Sequence, residues 1–440
     1  MGVVNIGVIG LGTVGGGFVR LLQRHHDDYL ASHGVDLRLA KACARSARHA
    51  EELGLEEGVF TTDWHDVVSD PDVDIVVELI GGDKPAHDIF VAAFAAGKHV
   101  VTANKSMLSH CMGELAGMAH EAGVQLRCEA AVAGGIPIVE TLEHALVGNE
   151  ILTIAGIVNG TTNYMLTRIE REGLSFDECL ADAQRLGYAE ADPTADVDGL
   201  DAAAKIAILA TIGFNTRVTR DDISLVEGIR GISPIDVACA REWGYRVKLL
   251  AVARSTERGV DIRVHPTMLP ENHQLASVDG VFNAVYVVGD AVGETMYFGA
   301  GAGDFPTASA VMGDVLALAT PLAHGSKPLA EAKPFDSVLP VCDPLDLTAR
   351  YYVRLSLEDK PGILGPVASI FGDQGVSIAL VSQPTHDETA VASLVLLTQP
   401  AQERAIQAAL AGVRQVEGVK EVCSVIRVED TDAWKSAAQR

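Results

Sequence analysis

The residues of this 440-residue chain best suited to proton transfer are Lys205 and Asp201, the carboxylate four positions before it. This spacing places both side chains on one face of a helix. Residues 202–204 and 206–212 are almost all apolar, so we expect the helix to be buried. A buried ammonium is costly unless paired, and a lysine balanced between burial and a carboxylate can exchange protons during catalysis. The alternative is a surface ion pair, which contributes little.

A second lysine, and carboxylates close to Asp201 in sequence, are also of residue types that could take part in chemistry. Lys105 closely follows an apolar, strand-like run, where its charge can reach a cofactor or substrate oxygen; the alternative is a surface lysine. Glu190 and Asp196 precede the Asp201 helix in sequence.

A glycine-rich turn near the N-terminus predicts a nucleotide site. The strand-like run 3–9 leads into the turn, and apolar residues at helical spacing follow it. In such a context one glycine makes the turn, the next lets the backbone approach a pyrophosphate, and the third lets helix and strand pack closely. The context favours dinucleotide binding over an ordinary glycine-rich turn. The residues of the turn are Gly10, Leu11, Gly12, Thr13, Val14 and Gly15.

The segments after this turn alternate between strand-like and helix-compatible composition, which predicts an α/β fold with a doubly wound parallel sheet of the Rossmann type. The loops containing Gly81 and Lys105 follow two of the strands, at the sheet edge where such folds bind ligands. The strand-like runs are 37–43, 75–79 and 99–102, and a helix is expected over 85–96.

Arg45 bears on the choice of cofactor. A strict NAD binder has an acidic residue after the second strand, whereas this chain has Arg45, which can meet a 2'-phosphate. NADP(H) is therefore favoured and NAD(H) remains possible. The alternative is a solvated surface arginine.

Two later segments contain groups that bind small ligands. The small residues of 129–137 expose backbone carbonyls beside the Glu129 carboxylate, as hard cations prefer, although such a turn is more often a domain crossover. Further on, a strand end at 157–158 is followed by a helix-like run. Thr161 or Thr162 is the expected N-cap of that helix, whose exposed N–H groups can also bind a carboxylate.

The C-terminal part has a different composition and pattern. Residues 321–347 are punctuated by five prolines, which predicts a linker. Residues 348–430 then follow the order βαββαβ, with a turn at 359–362 before the first helix, and this order is typical of a ferredoxin-like fold.

Composition excludes several classes of partner. The formal net charge of −25, without any lysine- or arginine-rich run, would repel nucleic acid and anionic membranes. No apolar run approaches the ~20 residues of a spanning helix, so we expect a cytoplasmic protein without membrane contact. The seven cysteines are scattered and never spaced as CxxC, which argues against a disulfide framework or zinc site.

The ordered motifs of residues 3–325 resemble the homoserine dehydrogenase family, which interconverts aspartate semialdehyde and homoserine with NAD(P)H. The resemblance makes Lys205 and Lys105 the proton-transfer and polarising lysines, with Asp201 orienting Lys205. It also implies a set of substrate-binding residues, which comprises Glu190, Asp196, Gly160, Thr161 and Tyr188.

The same resemblance implies a structural sodium ion and a second glycine-rich contact to the cofactor. Gly303, in the run 299–303, would close the nucleotide domain beside the cofactor, although a flexible hinge is also possible. The cation would be held by the side chain of Glu129 and the carbonyls of Val132, Gly134 and Ile136.

The Asp-Lys-Pro-Gly turn at 359–362 resembles that of the ACT domain family. Such domains usually pair edge to edge and bind an amino acid, so the resemblance implies a homo-oligomer, a dimer or tetramer, regulated by an effector such as threonine. A purely oligomerising module is the alternative.

These inferences divide the chain into four parts: a nucleotide domain at 1–134, completed by 305–320; an α+β substrate-binding and dimerisation domain at 135–304; a linker at 321–347; and an ACT domain at 348–430. Two other functions remain open, a related amino-acid dehydrogenase and a non-catalytic NAD(P)-binding sensor. Activity measured on a panel of substrates would distinguish a related dehydrogenase from a homoserine dehydrogenase. A sensor would bind the cofactor without turning over any substrate.

Overall fold

The computed structural model describes residues 2–328, 335, 337–383 and 391–435. Its first part is a parallel sheet covered by helices. The strands of this sheet are β1 (Gly2–Ile9), β2 (Val35–Cys43), β3 (Phe60–Thr61), β4 (Ile75–Glu78), β5 (His99–Thr102) and β6 (Leu126–Arg127). The helices between them are α1 (Thr13–His33), α2 (Arg48–Glu52), α3 (His65–Val68), α4 (Ala86–Ala95) and α5 (Lys105–Ala122).

The strand order of this sheet is β3-β2-β1-β4-β5-β6, with every neighbouring pair parallel. The order reverses between β1 and β4, and ligands of such sheets bind outside the carboxyl ends of the strands at that point. The predicted doubly wound Rossmann-type sheet is therefore confirmed, and its crevice lies beside Gly10 and Lys105.

The second part is built on antiparallel strands. They are β7 (Ile151–Ile157), β8 (Tyr245–Thr256), β9 (Gly259–Pro270), β10 (Phe282–Gly289) and β11 (Gly293–Ala300), and they follow the order β11-β10-β7-β8-β9. The helices of this part are α6 (Gly160–Glu172), α7 (Phe176–Arg185), α8 (Thr194–Val197), α9 (Leu200–Gly213) and α10 (Pro234–Glu242). Residues 201–212 of α9 are all buried, as its apolar composition predicts.

Helix α11 (Asp304–Ala323) returns to the first part and packs against α1. Its length and apolar composition would allow it to cross a membrane, but Val311, Val315 and Leu318 are completely buried in the core beside the parallel sheet. A linker starting at residue 321 is wrong, because the helix continues through Pro321. The proline lies in the last turn, and the helix ends two residues later.

The C-terminal unit comprises β12 (Thr348–Glu358), α12 (Leu364–Asp373), β13 (Ile378–Ser382), β14 (Val391–Thr398), β15 (Ala401–Gln402), α13 (Glu403–Val413) and β16 (Val419–Val428). Its main strands are antiparallel in the order β16-β12-β14-β13, with both helices contributing to one core. The elements predicted for 351–428 are found at their expected places. Pro334, which contributed to the predicted linker, lies outside the described residues.

The sequence does not predict how the C-terminal unit attaches to the rest. Strand β16 pairs in parallel with β9, matching Arg427 with Thr267 and Val428 with Met268. The second sheet therefore continues without a break into the C-terminal unit, in the order β11-β10-β7-β8-β9-β16-β12-β14-β13.

Candidate active site

The site lies where the crevice of the parallel sheet meets helix α9. Lys105 is the first residue of α5, and its Nζ is 2.5 Å from Asp201 Oδ1. Lys205, one turn after Asp201 on α9, places its Nζ 2.7 Å from the other oxygen, Oδ2. Asp201 therefore binds two ammonium groups, one from each part of the fold.

Lys205 is fixed more firmly than Lys105. Its Nζ also donates to the carbonyl of Val158 at 2.7 Å, and only 10% of its side chain is exposed. The side chain of Lys105 is 47% exposed. One lysine is thus held in the protein interior, and the other reaches Asp201 from the open crevice.

Asn159 connects the carboxylates of the site. Its Nδ2 donates to Asp196 Oδ1 at 2.6 Å and to Asp201 Oδ2 at 3.0 Å. Its Oδ1 accepts the N–H of Thr162 at 2.9 Å and so caps α6. The expectation that Thr161 or Thr162 is the N-cap is wrong, because the helix begins at Gly160 and the residue before it supplies the cap.

The charges of this cluster shift each other's pKa. Burial alone would raise the pKa of Asp201, but the two lysines outweigh it and hold that pKa well below its usual range. Burial lowers the pKa of Lys205, and Asp201 offsets only part of this effect. For Lys105 the balance is the opposite. Burial lowers its pKa, but the charges of Asp201, Asp196 and Glu190 together outweigh burial, so the pKa of Lys105 is raised. The interior lysine thus loses its proton more readily, and the crevice lysine stays charged.

Asp196 differs from Asp201 because burial dominates. Burial raises the pKa of Asp196, the hydrogen bond from Asn159 lowers it, and repulsion from Asp201 raises it, with a net increase. Two neighbouring carboxylates therefore have opposite pKa shifts.

The other predicted substrate-binding residues line the same region. Thr161 donates its hydroxyl to the carbonyl of Tyr188 at 2.6 Å, and the Tyr188 ring meets Tyr164 edge-on at 5.1 Å. Gly160 is the first residue of α6. The side chain of Glu190 is exposed, and its charge reaches Lys105 without a direct hydrogen bond.

The glycine turn has the geometry that a pyrophosphate requires. Gly10 has a φ of +107°, and a Cβ there would lie 2.7 Å from the Leu79 backbone. A Cβ at Gly15 would lie 1.9 Å from the Gly10 carbonyl oxygen, so α1 can pack only with glycine here. At Gly12, which precedes the first residue of α1, nothing lies within 4 Å of the Cβ position. This open space before a helix N-terminus fits a bound phosphate.

Three further residues predicted to bind the cofactor have less specific surroundings. Gly81 follows β4 with a φ of +68°. Arg45 is exposed in the loop after β2, and Gly303 is the N-cap of α11.

The cation prediction concerns the segment that joins the two parts. Both side-chain oxygens of Glu129 accept backbone N–H groups, Oε1 from Val139 at 3.0 Å and Oε2 from Glu140 at 2.6 Å. The carbonyl of Ile136 accepts from the N–H of Ile138 at 2.8 Å. Each carboxylate oxygen has a second lone pair, so the Glu129 side chain can accept these N–H groups and still offer an oxygen to a cation. The predicted ligand set is Glu129, Val132, Gly134 and Ile136.

Comparisons with known proteins agree on one family. The model "Homoserine dehydrogenase, NAD binding domain" matches residues 10–129, and the model "Homoserine dehydrogenase" matches residues 137–316. A homoserine dehydrogenase from Synechocystis sp. is 43% identical over 97% of this chain and 99% of its own. The chain belongs to the homoserine dehydrogenase family. Homoserine dehydrogenase activity, an oxidoreductase activity, follows for this chain.

Solved structures of homoserine dehydrogenases extend the similarity to three dimensions. The crystal structure of one from Thiobacillus denitrificans has a TM-score of 0.89 and 41% identity, covering 97% of this chain and 98% of that one. A hyperthermophilic archaeal homoserine dehydrogenase mutant in complex with NADPH has a TM-score of 0.62 and 27% identity, covering 71% of this chain and 97% of that one.

Two residues that organise this homoserine dehydrogenase site are not identified from its sequence. One is Asn159. The only sequence feature that distinguishes it from other turn asparagines is its position between an apolar, strand-like run and a helix-like run. The other is Glu78, completely buried at the end of β4, where burial raises its pKa. It accepts the Thr102 hydroxyl at 2.7 Å and the N–H of Ile80 at 2.9 Å.

Glu78 thereby links the two loops at the crevice. The Thr102 oxygen accepts the N–H of Asn104 at 2.9 Å, and Asn104 donates to the Gly82 carbonyl at 2.7 Å while capping α5. The loop after β4 and the start of α5, where Lys105 lies, are therefore one hydrogen-bonded unit. A single acidic residue in an apolar strand is the only sequence signal for it.

Substitutions at Gly12 and Gly15 of the nucleotide turn should have different effects, one on cofactor affinity and the other on stability. Gly12→Ala adds a methyl group to open space that the cofactor would fill, so the cofactor Kd should rise at least about tenfold with unchanged stability. Gly15→Ala forces a backbone clash, so the free energy of unfolding should fall by about 1–3 kcal/mol. Fluorescence titration and urea unfolding measure both quantities. Equal stability loss in both variants would contradict the assignment of Gly12.

Proposed function

We propose that this enzyme interconverts L-aspartate 4-semialdehyde and L-homoserine, with Lys205 as the proton-transfer residue and Lys105 as the cation that stabilises the reacting oxygen. The observation that carries these roles is the binding of both lysines to Asp201 at the crevice. When bound, the nicotinamide takes a hydride from C4 of homoserine or returns it to the semialdehyde.

The protein's own part is proton transfer and charge stabilisation. During homoserine oxidation, Lys205 Nζ in its neutral form takes the hydroxyl proton while the C4–oxygen bond becomes a carbonyl; during reduction the ammonium returns that proton. Lys105 keeps its charge and faces the crevice, where it stabilises negative charge developing on the oxygen. Asp201 orients both lysines. Glu190 and Asp196 bind the amino and hydroxyl groups of the substrate, assisted by Gly160, Thr161 and Tyr188.

Lys205→Met tests the proton-transfer role. The variant retains an unbranched side chain without the ammonium, so kcat should fall by about 10²–10⁴-fold with cofactor Kd unchanged. Burial lowers the pKa of Lys205, so wild-type homoserine oxidation should rise with pH through a pKa below that of free lysine, and the variant should lose this rise.

Lys98→Met is the matched control. Lys98 is also buried, but it donates to the carbonyls of Asp70 and Val73, away from the crevice. The control should keep wild-type kcat and pH dependence. If Lys205→Met retained kcat within tenfold, another group would have to transfer the proton.

The loop after β2 supports a proposal about which cofactor, NADP(H) or NAD(H), the enzyme prefers. Arg45 is exposed in the loop where a ribose 2'-phosphate would lie, and the related archaeal enzyme was solved with NADPH. NADP(H) is the favoured cofactor, with NAD(H) possible. Gly10 to Gly15, Gly81, Lys105 and Gly303 complete the proposed cofactor contacts.

The C-terminal unit is proposed to be an ACT domain that binds an amino-acid effector, threonine. The strand order β16-β12-β14-β13, the helices sharing one core and the exposed turn at 359–362 before α12 support this proposal. Strand β13 ends the described sheet order and is free to pair with a second copy. A module used only for assembly is the alternative.

The opposite edge of the same sheet, at strand β11, supports the proposal that the protein is a homo-oligomer. Strand β11 is the last strand in the described order, and three side chains on and beside it are exposed. These are Phe282, Met296 and Phe298, and the two phenylalanine rings are 5.1 Å apart. An exposed apolar patch on a sheet edge favours self-association, into a dimer or tetramer.

The proposal also covers domain organisation, location and a bound cation. The four-part domain division, with its linker now starting after Ala323, and the cytoplasmic location stay predictions. A structural sodium ion is proposed to bind the side chain of Glu129 and the backbone carbonyls of Val132, Gly134 and Ile136.

Absorbance of the reduced nicotinamide tests activity, cofactor and effector together. Purified enzyme with homoserine should reduce NADP faster than NAD, and threonine should suppress the reaction. Cofactor reduction indifferent to threonine would contradict the effector proposal, and faster reduction of NAD would contradict the role of Arg45. No turnover with either homoserine or aspartate semialdehyde would contradict the proposed reaction.

A further inference from the structure

A short segment joins the C-terminal unit to the substrate-binding carboxylates. We call residues 225–232, between α9 and α10, the connecting loop. It continues the β9 edge, because Val264 N–H donates to Leu225 at 2.9 Å and Glu227 N–H donates to Val264 at 2.8 Å. The loop therefore lies at the junction where β16 of the C-terminal unit joins the second sheet.

An ion pair attaches the connecting loop to the C-terminal unit. Arg427 on β16 donates from Nη1 to Glu227 Oε2 at 2.6 Å and from Nη2 to Oε1 at 3.2 Å. The same guanidinium, 1% exposed, binds Glu403 of α13 through Nε at 2.9 Å and Nη2 at 2.8 Å. One buried arginine thus joins the C-terminal helix to the loop in a fixed, bidentate geometry.

The other side of the connecting loop contacts the segment around Asp196. Ile229 N–H donates to the Val197 carbonyl at 2.8 Å, and Arg230 binds Asp198 through Nε at 2.5 Å and Nη2 at 3.2 Å. At Gly228 a Cβ would lie 1.9 Å from the Val197 oxygen, so the two backbones are in direct contact.

This contact lies next to the active site. Asp196 and Val197 are consecutive residues of α8, and Asp196 is bound by Asn159. Gly199, the N-cap of α9, also packs against the loop, since its Cβ position is 3.3 Å from the Glu227 carbonyl oxygen. A displacement of the connecting loop would therefore move Asp196 and the start of the helix that carries Asp201.

We infer that Arg427 and Glu227 are positioning residues, through which the C-terminal unit holds the connecting loop and thereby places Asp196 for substrate binding. The inference rests on the proposed role of Asp196. The pair touches no reacting atom, and its effect is on the affinity for homoserine. The C-terminal unit is then part of the substrate site's support, and an effector bound to it would have a direct route to that site.

Glu227→Ala is the main test, because Arg427 keeps Glu403 as a partner and 38% of the Glu227 side chain is exposed, so the fold is retained. The KM for homoserine should rise roughly three- to tenfold, while the KM for NADP and kcat stay within about twofold. Glu227→Gln, which keeps one acceptor oxygen, should give a smaller rise. Partial unfolding would instead lower kcat per mole of protein at unchanged KM.

Gly228→Ala should also raise the KM for homoserine. Its added methyl group pushes the connecting loop away from Val197 and leaves the ion pair between Arg427 and Glu227 intact. The matched control is Asp346→Asn. Asp346 joins Arg404 of the C-terminal unit at 3.0 Å to Arg258 of the β8–β9 turn at 3.3 Å, away from residues 196–199. The control should keep the wild-type KM for homoserine.

The outcomes separate the inference from the proposed function. A raised homoserine KM in Glu227→Ala and Gly228→Ala, with a wild-type value in Asp346→Asn, supports the inference. Wild-type homoserine KM in both loop variants overturns it and leaves the proposed function intact. Absence of homoserine oxidation in the wild type and control alike overturns the proposed function and the inference with it.

Discussion

The site depends on one buried carboxylate that binds two lysines from different parts of the fold. An ionised carboxylate without partners would be costly in the interior, and Asp201 is stable there because Lys105, Lys205 and Asn159 all contact it. The interaction constrains the whole molecule, since α5 of the nucleotide-binding part and α9 of the second part must meet at this point. Chemistry and domain arrangement are therefore fixed by the same contacts.

The surrounding structure makes these contacts rigid. Glu78 joins the loop after β4 to the start of α5, and so orients Lys105 together with the cofactor-binding edge. On the opposite side, Asn159 orients Asp196 and Asp201 together. The continuous sheet through β9 and β16 then ties this arrangement to the C-terminal unit.

The sequence predicts those features whose cause is local. The glycine turn at 10–15, the buried helix with Asp201 and Lys205, and the elements of the C-terminal unit follow from spacing and periodicity, and the structure contains them. The sequence favours Thr161 or Thr162 as the cap of α6, because several residues near a helix start can accept an N–H, and only the backbone path selects Asn159. Pro321 likewise does not mark the end of α11, since the last turn of this helix contains it.

Features that depend on distant pairing could not be predicted in this way. Glu78 is an acidic residue in an apolar strand, and its partner Thr102 becomes a neighbour only when β4 and β5 pair. The parallel pairing of β9 with β16 joins residues 160 positions apart, Thr267 and Arg427, and neither strand's pattern specifies its partner. The backbone amides of Val139 and Glu140, which bind the two Glu129 oxygens, likewise become neighbours only in the folded chain.

The pH dependence of homoserine oxidation in Asp201→Asn tests the shared carboxylate most directly, with the exposed Asp192→Asn as control. Asp201 raises the pKa of Lys205 against the effect of burial, so neutralising it should move the rise in activity to lower pH. The kcat should also fall by about 10²–10³-fold because both lysines lose their common anchor, while the cofactor Kd stays within about twofold. A variant with the wild-type pH profile and kcat would contradict the account.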